Sequence, residues 1–130
     1  MKEEKILEFC SRWLSSWTGN EPERLIDFYA EDAFYSDPSV RNGIQGRDSL
    51  LEHFTRLLSA NPDWEWEAVE AFPTRNGFTL KWKATIPVGD YAIEENGLDI
   101  VEIEDGGITR NEVYFDRSGL MLAVARQKRE

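Results

Sequence analysis

Apolar residues recur every three or four positions from Lys2 to Trp17, and this spacing predicts an amphipathic helix. Ile6, Phe9, Cys10, Trp13, Leu14 and Trp17 form its stripe, after a solvated start at Lys2-Glu3-Glu4-Lys5. Thr18-Gly19-Asn20 ends it, because Gly and Asn accept the left-handed cap conformation. Asn20 also suits the cap of a second helix, with Pro22 in its first turn and Leu25, Phe28 and Tyr29 facing inward. A short strand, Ala33 to Asp37, stops at Pro38, which has no N–H for a sheet ladder. Asn42 to Gly46 reads as loop with a further short extended piece. Arg47 to Ala60 predicts a third helix that buries Leu50, Leu51, Phe54, Leu57 and Leu58, with His53 at the rim of the stripe. Asn61-Pro62-Asp63 ends it.

The period then changes from helical to alternating. Trp64 to Thr74 sets Trp64 and Trp66 against Glu65 and Glu67, and Arg75-Asn76-Gly77 turns the chain. Phe78, Leu80, Trp82, Ala84 and Ile86 alternate with polar residues, the pattern of a half-buried antiparallel strand. Pro87 to Gly97 reads as an irregular connection. Two runs rich in Ile, Val, Tyr and Phe flank Asp105-Gly106, a strong hairpin signal. A two-residue turn there pairs Glu104 with Gly107. Counting outward places Asp99, Val101, Ile103, Ile108, Arg110, Glu112, Tyr114 and Asp116 on one face. Ser118 to Lys128 predicts a closing helix carrying Leu120, Leu122 and Val124. Helices first and a strand meander after them make an α+β fold, expected to be one domain over residues 1–130.

The hairpin face mixes aliphatic groups with carboxylates, which a core excludes unless they are paired. Either it is solvated, with Arg110 neutralising Asp99 or Glu112, or it walls a pocket in which Asp99 and Asp116 act as acid/base groups. Composition narrows the partners. The formal net charge of −10 repels phosphate backbones and anionic membranes, so neither nucleic acid nor membrane is expected as a partner. The basic run Arg126-Gln127-Lys128-Arg129 suits a helix C-terminus. A lone Cys10 fits a reducing compartment, and no N-terminal apolar run follows a basic segment, so the expected location is the cytoplasm.

The order of motifs resembles a known family across almost the whole chain. The resemblance is carried by Trp17-Thr18-Gly19-Asn20 with Glu23-Arg24-Leu25, Phe28-Tyr29-Ala30-Glu31-Asp32-Ala33, Tyr35-Ser36-Asp37-Pro38 and Gly46-Arg47-Asp48-Ser49-Leu50. It continues through Asn61-Pro62-Asp63, Leu80-Lys81-Trp82-Lys83-Ala84, Glu104-Asp105-Gly106-Gly107-Ile108 and Tyr114-Phe115-Asp116. The chain resembles the nuclear transport factor 2-like superfamily, in its SnoaL-like polyketide cyclase and ketosteroid isomerase branch. That resemblance implies a cone, a curved antiparallel sheet wrapped around three N-terminal helices with an open apolar cavity. It also implies a homodimer packed through the outer sheet face. By the same resemblance Asp37 stands at the general base of steroid isomerases and Asp99 at their oxyanion-side carboxylic acid. Asp116 stands at the acid/base aspartate of polyketide cyclases. The isomerases' tyrosine falls on Trp13, and an indole donates a hydrogen bond without a phenol's acidity.

The candidate catalytic residues are therefore Asp37, Asp99 and Asp116. The candidate substrate-binding residues are Trp13, Trp17, Tyr35, His53, Trp82 and Tyr114. Carboxylates in a dry cavity rise in pKa and become useful acids or bases near neutral pH. The expected chemistry is cofactor-independent isomerisation or cyclisation of a small apolar carbonyl compound. The alternatives are a hydrophobic ligand-binding module and a dimeric interaction module. No phosphate-binding glycine loop, Cys/His metal spacing or calcium-loop pattern occurs in the sequence, so neither a metal nor another cofactor is expected.

Overall fold

A computed structural model describes residues 2–129. The order is α1 (Glu3–Ser15), α2 (Pro22–Ile26), β1 (Tyr29–Asp37), β2 (Val40–Gln45), α3 (Arg47–Ala60), β3 (Glu65–Pro73), β4 (Gly77–Val88), β5 (Tyr91–Glu104), β6 (Gly107–Tyr114) and α4 (Ser118–Arg129). The strands form one curved, unclosed sheet in the order β2-β1-β6-β5-β4-β3. The expected cone is present, with one departure from a purely antiparallel sheet: β1 lies parallel to β6. Helix α1 packs on β3, and α2 packs on α3.

The helical stripes bury as their spacing requires. Ile6, Cys10, Trp13, Leu14 and Trp17 enter the core from α1 and the turn after it, and Leu50, Phe54 and Leu58 enter from α3. Opposite them, Phe78, Leu80, Trp82, Ala84 and Ile86 cover the concave face of β4. Burying side chains of this size stabilises by roughly 1.5–3 kcal/mol each, so the concave face holds the cone together. Among the described residues no helix is long and apolar enough to cross a membrane.

Three local expectations are corrected. Helix α2 ends at Ile26 and does not reach Tyr29. Tyr29 instead opens β1 opposite Ile108, whose N–H donates to the Phe28 carbonyl at 2.8 Å. Sheet pairing with a distant strand captures what local periodicity assigned to the helix. The stretch Pro87–Gly97 is not irregular. Val88 pairs with Tyr91 across Gly89-Asp90, and β5 runs unbroken to Glu104. Gly89 takes φ +61°, the left-handed conformation a two-residue turn needs.

The third correction moves a whole face. The Asp105-Gly106 turn forms as expected, with φ +51° and +83°, and Glu104 pairs with Gly107. Ile103 pairs with Ile108, but Glu102 then pairs with Arg110, which leaves Thr109 as an extra residue. This β-bulge reverses the alternation of everything after it in β6. Asn111, Val113 and Phe115 now share the concave face with Asp99 and Val101. Arg110, Glu112 and Tyr114 are on the convex face, where Arg110 binds Glu112 and Glu102, and the Tyr114 hydroxyl donates to Glu112.

Candidate functional site

The concave side of the sheet, α4 and the α1 and α3 ends enclose an open cavity of about 550 Å³. That volume suits a small organic molecule. Trp17, Trp64, Trp66, Trp82, Ile86 and Phe115 supply much of an apolar lining. Two buried carboxylates, Asp37 and Asp99, face it.

Asp37 is placed by the end of β1. Tyr35 and Asp37 are two residues apart and so share a face, and Pro38 stops the strand. The chain turns there, and Asp37 Oδ1 accepts from the Ser39 backbone N–H at 2.8 Å, the Ser39 hydroxyl at 2.6 Å and the Val40 N–H at 3.1 Å. Asp37 Oδ2 accepts from the Tyr35 hydroxyl at 2.7 Å and lies 3.1 Å from His53 Nε2. A carboxylate can only accept, so the imidazole proton belongs on Nε2. Burial pushes the Asp37 carboxyl up, but the bonds from His53, Ser39 and Tyr35 outweigh it and hold the pKa well below the usual carboxylate range. His53 is not at a rim: only 6% exposed, it is buried against Asp37. Burial and the adjacent Asp37 raise the Tyr35 phenol well above its ordinary value.

Asp99 is placed by β5 and lies in the opposite kind of environment. The Trp82 indole N–H donates to its Oδ1 at 2.9 Å, and the Asn111 amide donates to Oδ2 at 3.4 Å. Desolvation raises its pKa to about 7 despite these two donors, with the negative charge of Asp37 pushing the same way. Asn111 is held in turn by Tyr29, whose hydroxyl donates to its Oδ1 at 2.8 Å. Both Tyr29 and Asn111 are buried.

Glycine makes the Trp82 contact available. Gly97 pairs with Trp82 across β4 and β5, and a Cβ at Gly97 would overlap the indole ring. Gly97→Ala is expected to cost about 1–3 kcal/mol by overpacking and to push the indole away from Asp99. Thermal melting and near-ultraviolet circular dichroism check both effects; an unchanged tryptophan signal would count against the contact.

The structure brings together Asp37, Asp99, Trp17, Tyr35 and Trp82, and sets His53 directly behind Asp37. It does not bring Tyr114, Asp116 or Trp13 to the cavity lining. Tyr114 is on the convex face because of the Thr109 bulge. Asp116 is exposed and opens α4, accepting from the Ser118 N–H and hydroxyl at 2.9 and 2.6 Å, which lowers its pKa. Trp13 is fully buried in the core, and its Nε1 has no hydrogen-bond partner among the described residues. Glu112, on the convex face and so turned away from Asp99, is held below its usual pKa by the Tyr114 hydroxyl and by Arg110. Local sequence signals do not mark Asn111 or Ser39 as part of the site, and they mark Tyr29 only as inward-facing; an Asx-type turn after Asp37 is the one signal that points to Ser39. Among the described residues, no group of three or more His, Cys, Asp or Glu gathers in a way that could hold a metal ion.

Comparison with known proteins follows this geometry. The SnoaL-like domain family matches residues 10–111. The phenazine biosynthesis protein PhzB1 of Pseudomonas aeruginosa is 34% identical over an alignment of 129 residues, which covers 86% of this chain and 78% of that protein. The crystal structure of a phenazine biosynthesis-related protein, PhzB2 of Pseudomonas aeruginosa, superposes with a TM-score of 0.71 at 25% identity, covering 94% of this chain and 82% of that one. A protein of ketosteroid isomerase-like fold from Catenulispora acidiphila, crystallised with trimethylamine, superposes with a TM-score of 0.78 at 18% identity, covering 91% of this chain and 92% of that one.

Proposed function

The chain belongs to the SnoaL-like domain family, within the nuclear transport factor 2-like superfamily, and from that premise we propose that its cavity binds a small, largely apolar carbonyl compound and shifts a proton on it. No cofactor takes part in this reading. One observation carries it: two buried carboxylates face one apolar cavity in unlike surroundings, Asp37 ringed by donors from Tyr35, Ser39, Val40 and His53, and Asp99 desolvated with only Trp82 and Asn111 beside it. Such a divergence separates acid and base roles within a site.

The roles follow from hydrogen bonding. Asp37 already accepts from Tyr35, His53, Ser39 and Val40, so it is a firmly ionised and weakly basic anion. It fixes the field of the cavity and orients what enters. Asp99, with a pKa of about 7, exchanges a proton near neutral pH, where a general acid/base works best. Ionised Asp99 takes a proton from the carbon next to the carbonyl. The C–H electron pair passes into the enolate, and Asp99 returns the proton to another carbon. The bonds balance as an isomerisation with no net oxidation. This reading moves the base from Asp37, where the family resemblance put it, to Asp99. The phenazine-biosynthesis relatives, named for a fused-ring product, support a ring-containing substrate.

A second reading, ligand binding without turnover, is favoured by Trp13. It replaces the isomerases' tyrosine and is buried outside the cavity lining, so no phenol stands there to stabilise an enolate. A homodimer through the convex sheet face is also proposed, supported by exposed Leu98 and Tyr114 on that face.

Deuterium uptake from heavy water into β,γ-unsaturated ring ketones, followed by NMR, tests the catalytic reading. Uptake is expected to rise with pH through an inflection near 7, the value burial gives Asp99. Bound ketone with no deuterium uptake at any pH would leave the binding reading standing and remove the catalytic one.

A further inference from the structure

Asp99 is joined to a part of the core outside the cavity lining. Asn111 Nδ2 donates to Asp99 Oδ2 at 3.4 Å, and Asn111 Oδ1 accepts from the Tyr29 hydroxyl at 2.8 Å. Both residues are buried, and neither lines the cavity. Two features of the sheet bring them there. The Thr109 bulge puts Asn111 on the concave face in place of Arg110 and Glu112, so a neutral amide meets the carboxylate. The parallel pairing of β1 with β6 seats Tyr29 opposite Ile108, within reach of Asn111.

The three groups form a chain with one sense. Tyr29 donates to Asn111, and Asn111 donates to Asp99. A primary amide has an acceptor end and a donor end, so fixing one end fixes the other. With Oδ1 held by Tyr29, the end left for Asp99 is the donor, which suits an ionised carboxylate. The opposite sense needs the amide inverted, with Oδ1 accepting from a protonated Asp99 and Nδ2 donating to the Tyr29 oxygen. A phenol oxygen can accept, but the phenol's own proton then loses its acceptor. Among the described residues the Tyr29 hydroxyl donates only to Asn111, and the Trp13 indole beside it is a donor that itself lacks a partner. A buried donor without a partner is costly, so the observed sense is the favoured one.

We propose that Tyr29 is a positioning residue for Asp99: by holding the Asn111 amide in one orientation it favours the ionised carboxylate, although it neither bonds to Asp99 nor lines the cavity. The inference deepens the role proposed for Asp99 and rests on that role only for its catalytic meaning. Asp99 also interacts through its charge with Cys10 of α1 and with Tyr35 and Asp37 of β1, and Arg117 and Lys128 line the same cavity. Among the described residues none of these five hydrogen-bonds to Asp99, so none sets the direction of a bond to it.

A carbon-13 NMR titration of the Asp99 side-chain carboxyl in the intact chain tests the proposal. In the native protein this carboxyl is expected to titrate at about 7. In Tyr29→Phe it should titrate about one pH unit higher, the scale of one hydrogen bond to an ionised group. An amide free to invert accepts the carboxyl proton and so favours the neutral acid. Phenylalanine also removes a polar group from the core, and drier surroundings raise a carboxyl in the same direction. Asn111→Leu, or Asn111→Ala where leucine does not fold, separates the two causes. Once the amide is gone, adding Tyr29→Phe should leave the Asp99 titration unmoved. An Asp99 titration unchanged by Tyr29→Phe in the native background would overturn the proposal. So would an equal rise with and without the amide. A carboxyl that shifts as expected while no ketone takes up deuterium would support the role of Tyr29 and remove only the catalytic reading.

Discussion

Asp99→Asn is expected to raise the melting temperature above pH 7 while removing the proton transfer. The two effects share one cause. In the unfolded chain the Asp99 carboxyl ionises near 3.8, whereas in the fold it does so near 7. Between those values the unfolded state has released a proton that the folded state still holds, so stability falls as pH rises. The loss is complete above pH 7. At 1.36 kcal/mol per pH unit it comes to roughly 4 kcal/mol. Asparagine stays neutral and avoids this cost. Its oxygen can keep the Trp82 N–H bond, and its amide can then face Asn111. Asn111 can turn over to accept it, because the Tyr29 hydroxyl can accept as well as donate. The variant should match the native protein below pH 4 and separate from it between pH 4 and 7. Above pH 7 it should melt about 10 °C higher. Deuterium uptake by a ring ketone should fall by about 10²–10⁴-fold in the same variant. Melting curves that stay parallel across this pH range would mean that Asp99 is not desolvated, and the acid/base assignment would fall with it.

How far this site could be read from the sequence depended on how local each signal was. The α1 stripe, the β4 alternation and the Asp105-Gly106 turn are set by neighbouring residues, and the structure has them where the spacing put them. Asp37 at a strand end before Pro38 was equally legible. The convex placement of Tyr114 was not, because one extra residue at Thr109 reverses a face and nothing in the residue type marks it. Local spacing assigns Tyr29 to the helix because its decisive partner, β6, lies about eighty positions away in the sequence. Asn111 is invisible to local spacing for the same two reasons together. It faces the cavity only after the bulge, and it meets Tyr29 only through the parallel β1–β6 pairing. His53 looked like a rim residue because its value comes from Asp37, which belongs to another element.

Asp37→Ala is expected to have the opposite effect on stability from Asp99→Asn, although the two aspartates face one cavity. Removing the Asp37 carboxylate strips the acceptor from the Tyr35 hydroxyl, the His53 imidazole, the Ser39 hydroxyl and N–H, and the Val40 N–H. Two of these donors, on Tyr35 and His53, are buried, and a buried donor without a partner costs about 1–3 kcal/mol each. Water entering through the open cavity recovers part of the loss. A net destabilisation of about 3–5 kcal/mol follows, with a melting temperature lower by roughly 10–20 °C. The pH dependence runs opposite to that of Asp99. The folded Asp37 pKa lies below its unfolded value of 3.8, so its contribution is complete above that value and is lost as pH falls below it. The gap between native and variant melting temperatures should therefore be full at neutral pH and narrow only in acid. Asp37→Asn, which keeps one acceptor, should lose less stability and retain the inflection near pH 7 in deuterium uptake. If that inflection vanished in Asp37→Asn and survived in Asp99→Asn, the base would be Asp37, as in the steroid isomerases, and the roles of the two carboxylates would exchange. If it survives only where Asp99 is intact, the most heavily hydrogen-bonded carboxylate of the cavity is its fixed anion and the desolvated one moves the proton.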